Sequence, residues 1–213
     1  MGLKLVSFSL YGTAPRYFLG AVENAKAILK HYPGWAMRVY CEDTSDVAQL
    51  ISMGVQIVYM GKSLQDSGIL WRFLPAWEDG VDHVIFRDCD SIVNPREAAA
   101  VQAWIASGKE AHVMHDHPHH ICLPMMGGMW GVEGNFLPNV MPQWMRAFSG
   151  LTKGVQSAQL MQLSIYPHIK DNLLRHSSVP VEWPYELFPP HESWNGFIGQ
   201  QHDDNWKPVW PVC

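Results

Sequence analysis

The sequence predicts an α/β fold in which helices flank a mostly parallel central sheet. Short apolar runs suited to buried strands alternate with segments of helical periodicity through the first half of the chain. The apolar fraction, 47%, is enough to fill a core. A length of 213 residues suits one domain, and two full domains would be cramped.

The elements follow in order. Residues 3–10 read as a first strand. Thr13 can cap a helix whose first turn holds Pro15, and Phe18, Val22, Ala25 and Leu29 then recur at helical spacing. Pro33 and Gly34 end it. Residues 36–41 read as a second strand, 47–52 as a short helix and 55–59 as a third strand. Ile69, Leu70, Phe73, Leu74 and Trp77 predict a helix bent at Pro75. The next strand, 83–87, runs into Asp88-Cys89-Asp90-Ser91. Asn94-Pro95-Arg96-Glu97 then supplies a cap, a proline at the first position and a glutamate able to reach back, and Gly108 stops that helix. Residues 111–114 predict one more strand ahead of a His-rich turn. Beyond it lie a Gly-rich stretch over 126–131, helical candidates at 139–148 and 156–165, and a Pro/Trp-rich tail from Val179. There is no internal repeat or linker, so 1–213 is expected to form one domain.

Composition narrows the function. With 15 basic and 20 acidic residues the net charge is −5, which gives no electrostatic reason to expect a nucleic-acid partner. The apolar run at the N-terminus is too short to span a membrane and lacks a small-residue cleavage site. Cys41, Cys89, Cys122 and Cys213 form no CxxC pair, and their spacing predicts reduced thiols in a cytoplasm rather than a disulfide framework.

Asp88 and Asp90 carry the sharpest chemical signal. In extended backbone residues i and i+2 point the same way, so the two carboxylates can converge on one cation. Their mutual repulsion calls for a cation or a proton. Hard oxygen ligands suit Mg²⁺, Mn²⁺ or Ca²⁺, with sites left open for phosphate oxygens. A lone DxD is common in solvated turns. This one follows an apolar strand and precedes a capped helix, where ligands of parallel sheets bind.

The block Val84-Ile85-Phe86-Arg87-Asp88-Cys89-Asp90-Ser91 with Pro95-Arg96-Glu97 resembles the DxD region of small GT-A-fold glycosyltransferases of bacteria and large viruses. The likeness continues through Trp104, His112 to His119, Gly127-Gly128-Met129-Trp130-Gly131, Ile165-Tyr166-Pro167, His176 and Phe197-Ile198-Gly199-Gln200. It implies a transferase that takes a hexose from a UDP-sugar, with UDP-glucose the first candidate, to a hydroxyl of a glycan or glycoconjugate, with 1–110 the nucleotide-binding half of the domain and 111–213 the sugar- and acceptor-binding half. Asp88 and Asp90 would bind Mn²⁺, or Mg²⁺, and the donor diphosphate; Asp90 would serve catalysis through that metal. Ser9, Leu10, Tyr11 and Gly12 would hold the nucleotide. Arg72 would offer a fork of donors to phosphate or sugar, and Gly127 and Gly128 would let backbone approach the sugar. His176 would be a third metal ligand, favouring Mn²⁺. The late histidine also suggests retention of configuration. The cytoplasm, that of a host if the protein is virus-encoded, is the compartment implied. Two departures stand out: Ala158-Gln159 where an Asp-Gln pair is expected, and His115 where an arginine would precede Asp116.

Two other classes compete. His115-Asp116-His117-Pro118-His119-His120 nearly matches the HxHxDH pattern of zinc hydrolases, but His119 stands at its aspartate. Asp116 is instead expected to touch donor sugar or acceptor, and it or Glu186 would be the base if configuration were inverted. A non-catalytic sugar-binding module could stack sugars on Trp71, Trp130, Trp194 or Trp206. Intact Asp88 and Asp90 argue for the enzyme.

Overall fold

A computed structural model describes residues 2–43, 47–62, 67–137 and 160–209. Among these residues seven strands form one sheet in the order β3-β2-β1-β4-β6-β5-β7. They are β1 (Leu3–Leu10), β2 (Ala36–Cys41), β3 (Gln56–Tyr59), β4 (Val81–Arg87), β5 (Ala111–His115), β6 (Met129–Glu133) and β7 (Leu173–Ser177). All neighbours pair in parallel except β6, which runs antiparallel to both β4 and β5. Strand order reverses between β1 and β4, and that crevice is where such sheets bind ligands.

Alternating side chains divide the core in two. Leu5, Val84, Phe86 and Trp130 face the 3-10 helix Ser67–Trp77. Val6, Phe8 and Ile85 face helices α1 (Pro15–His31) and α3 (Pro95–Ser107), through Val22, Ala25, Val101 and Trp104. Helix α2 (Ala48–Ser52) links β2 to β3, and α4 (Tyr166–Ile169) follows a π-helical turn, Leu160–Ile165.

The predicted strands at β1 and β2 have the predicted bounds. The segment around Pro75 is helical but 3-10 in form, tightened by the proline inside it. Helix α3 has its asparagine cap: Asn94 Oδ1 accepts from Glu97 N at 3.0 Å, and Gly108 closes the helix at φ +67°. Glu97 does not reach back to Asn94; its carboxylate is buried beside Arg87. Thr13 is not the cap of α1; Ala14 is, with Pro15 in the first turn and no side-chain cap bond. Leu29 is exposed, and Ile28 takes its expected place in the core.

The sequence reading missed β6 and β7. The first residues of β6 follow two glycines and look like a turn; β7 carries Arg175 and His176, which look like surface residues. The helical candidate at 139–148, most of that at 156–165, and Ala158-Gln159 lie outside the described residues. Among the described residues Cys41, Cys89 and Cys122 form no disulfide. Among the described residues no helix is long and apolar enough to cross a membrane.

Candidate active site

A cavity of about 400 Å³ opens at the carboxyl ends of β1 and β4, lined by Ser9, Tyr11, Arg72, Asp88, Asp90 and Gly127, among others. Both carboxylates line it, though strand alternation is not what places them there. β4 ends at Arg87, and the next residues turn, with Ser91 N donating to Asp88 O at 3.3 Å. The Asp88 side chain is 44% exposed and the Asp90 side chain 11%. Arg72, almost fully buried, pairs with Asp88, and Arg16 Nε lies 4.0 Å from Asp90.

Arg72 is held by the strand below it. Ser7 and Ser9 share one face of β1. Ser7 Oγ donates to Arg72 O at 2.7 Å, and Ser9 Oγ accepts from Arg72 N at 2.9 Å. Tyr11, two residues on, packs edge-on against Trp71 with ring centres 6.1 Å apart. Leu10 points the other way, into the core beneath α1, as the strand's period of two requires. Gly12 N donates to Glu42 Oε2 at 3.0 Å, and Gly12 is not among the residues lining the cavity. Gly127 lines it, while Gly128 lies under Asp88: a Cβ there would come within 1.9 Å of Asp88 Oδ2.

Several supporting residues went unpredicted. Asn24 is fully buried; its Nδ2 donates to Ser91 O at 2.9 Å and its Oδ1 accepts from Val93 N at 2.9 Å. Gly20, one turn earlier, lets α1 touch the acid loop, since a Cβ there would lie 1.7 Å from Cys89 O. A glycine and an asparagine four apart on an otherwise apolar helix face were the available signal. The C-terminal tail also returns to the site. His202 N donates to Asp90 O at 2.8 Å, its Nδ1 lies 3.3 Å from the same oxygen, and its ring stacks on Trp206. Arg16 Nη1 pairs with Asp204 at 3.0 Å, tying the tail to α1.

His176 is not brought to the carboxylates. It lies in β7, three strands from β4 in the sheet order, with Nδ1 2.8 Å from His112 Nε2 and its ring against Phe188. Burial depresses the pKa of both imidazoles, so the pair is neutral. Asp116 is likewise outside the cavity. Its Oδ2 accepts from Ile198 N at 2.9 Å and its Oδ1 lies 3.2 Å from Arg96 Nη2. Burial pushes its carboxyl up, and the Ile198 N–H pulls it back. Glu186 flanks β7 at the sheet's edge.

The histidine cluster holds its own loop. His120 Nδ1 accepts from Asp116 N at 3.1 Å, His117 Nδ1 accepts from His119 N at 3.2 Å, and His115 Nε2 donates to Leu123 O at 3.1 Å. Burial takes the pKa of His115 to about 4 and that of His120 to about 3. Among the described residues no group of three or more His, Cys, Asp or Glu is arranged to hold a metal. An ion at Asp88 and Asp90 would therefore complete its shell with ligand oxygens or water. Trp71 and Trp130 are core residues rather than sugar platforms.

No family model and no curated protein matches the chain. Solved structures do. A protein from Desulfovibrio desulfuricans assigned as a nucleotide-diphospho-sugar transferase superposes with a TM-score of 0.52 at 10% identity, over 83% of this chain and 80% of that one. Glucosyl-3-phosphoglycerate synthase from Mycobacterium tuberculosis, solved with Mn²⁺, UDP and its product, gives 0.49 at 15% identity over 83% and 70%. A glycosyltransferase involved in the glycosylation of the major capsid of PBCV-1 gives 0.46 at 12% over 82% and 81%. The strand order, the single reversed strand and the superposition together give the chain the GT-A fold of nucleotide-diphospho-sugar transferases.

Proposed function

We propose that the protein is a metal-dependent glycosyltransferase that moves a hexose from a UDP-sugar, UDP-glucose first, to a hydroxyl of a glycan or glycoconjugate. One observation carries the reading. Asp88 and Asp90 line the same cavity as Ser9, Tyr11 and Arg72, at the point where strand order reverses.

The residues fit a divalent cation. Two carboxylates open on a cavity and leave room for diphosphate oxygens. The choice of Mn²⁺ draws on the metal bound to the M. tuberculosis enzyme. When bound, such an ion neutralises charge growing on the departing diphosphate. The chain's residues do the rest. Ser9 and Tyr11 border the space for the nucleoside. Arg72 pairs with Asp88, and its buried fork would offer donors to phosphate or sugar. Gly127 and Gly128 bring main chain to the sugar. Asp116, bonded to Ile198 N and Arg96, is a poor general base, which favours retention over inversion.

Incubation with a panel of UDP-sugars and Mn²⁺ is expected to release UDP. Asp90→Ala should lower the rate at least 10³-fold with little change in melting temperature, on the scale of losing a principal electrostatic stabiliser. Silence with every common donor, or a fully active Asp90→Ala, would sink the reading. The anomeric configuration of the product, read by NMR, tests retention.

A further inference from the structure

Arg87 ends β4 with no exposure to solvent. A guanidinium buried so deeply must be paired, because an uncompensated charge there costs several kcal/mol. Its partners come from three segments. Nη1 donates to Gly128 O, Nη2 donates to Ser91 Oγ at 3.1 Å, and Nε lies 3.3 Å from Glu97 Oε1. Gly128 belongs to the glycine loop, Ser91 closes the acid loop, and Glu97 stands in the first turn of α3.

We propose that Arg87 is a positioning residue that fixes the separation between the acid loop, 88–91, and the glycine loop, 126–128. It thereby sets the gap in which diphosphate and sugar lie. The inference rests on reading the cavity as a nucleotide-sugar site. The tolerance is tight, since there is no room for a methyl group between Gly128 and the Asp88 carboxylate. Arg87 holds the main-chain carbonyl of Gly128 rather than a side chain, so it positions backbone directly. Its planar fork reaches Gly128 and Ser91 at once, with Glu97 against the third nitrogen; a lysine has one nitrogen and cannot do so in a fixed plane. Arg72 also approaches Asp88, but through the carboxylate that a cation would take. Arg87 donates to the loop on each side of that carboxylate and so can act whether or not metal is bound.

Two variants test this. Arg87→Lys keeps a cation opposite Glu97, and Ser91→Ala removes the hydroxyl that accepts from Arg87 Nη2 and lies 3.4 Å from Asp88 O. Amide hydrogen exchange is measured on the ligand-free proteins, and calorimetry follows UDP binding in the presence of Mn²⁺. In Arg87→Lys the amides of the acid and glycine loops are expected to exchange at least tenfold faster together, while those of β1 and α1 keep wild-type rates. UDP affinity should fall ten- to a hundredfold. Ser91→Ala should show the same pattern at three- to tenfold. Unchanged loop exchange, or exchange that quickens evenly across the sheet, overturns the proposal. If the wild type takes up UDP and both variants match it, the positioning role fails alone. A wild type that binds no UDP removes the cavity reading instead, and with it the purpose of the gap, while the exchange data still decide whether Arg87 couples the loops.

Discussion

A methyl group at position 128 would meet the Asp88 carboxylate at 1.9 Å, with no flexible neighbour able to yield except that carboxylate. Gly128→Ala is therefore expected to displace Asp88 and cut metal-dependent turnover at least a hundredfold, on the scale at which small misplacements of catalytic groups act. Melting temperature should change by only a few degrees. Wild-type kinetics in this variant would show that the contact has no bearing on the site. At this scale the sequence pointed to Asp88 and Asp90, because two acids after a buried strand need a reason to be there, and both line the cavity. It spoke poorly about Asp116 and His176. Both are polar residues next to apolar strands, and only coordinates reveal that Ile198 N, Arg96 and His112 already satisfy them. Nothing in the tail's polar spelling marked His202 as a neighbour of Asp90.

Helix α1 and the segment after the acid loop show how elements hold the site. Asn24 bridges them with bonds to Gly20 O, Ser91 O and Val93 N. Asn24→Ala leaves Ser91 O and Val93 N short of a buried partner, at a cost of about 1–3 kcal/mol each. A loss of roughly 2–4 kcal/mol in denaturant unfolding is expected, together with weaker metal binding; a loss under about 0.5 kcal/mol would mean that water replaces the amide. Elements with a simple hydrophobic rhythm were legible: β1, β2 and α3 lie where period and capping residues put them. β6 and β7 were not, because their sheet contacts are supplied by partners distant in sequence. Trp130 is matched by Phe86, and Arg175 by the carbonyl of Pro124.

The buried imidazoles make the whole molecule sensitive to acid. His115 and His120 have folded-state pKa values of about 4 and about 3, below the ordinary value of 6.5, because burial penalises their charged forms. A depressed value means that the unfolded chain binds protons first as pH falls. Stability is thus complete above pH 6.5 and declines through the window down to pH 3–4. By pH 5 each ring accounts for about 2 kcal/mol, and the melting temperature should fall by roughly 10 °C between pH 7 and pH 5. Replacing His120 with Gln should flatten that slope; an unchanged slope would show that other groups govern it. The reversal of β6 has a practical consequence for the same molecule. Because that one strand runs backwards, its entry point joins the ends of β1 and β4 on a single rim, where the cavity opens. The opposite rim is left with plain connectors such as the exposed bend at Gly108 and Lys109. A tether, dye or affinity handle grafted at that bend would leave the working edge of the sheet untouched.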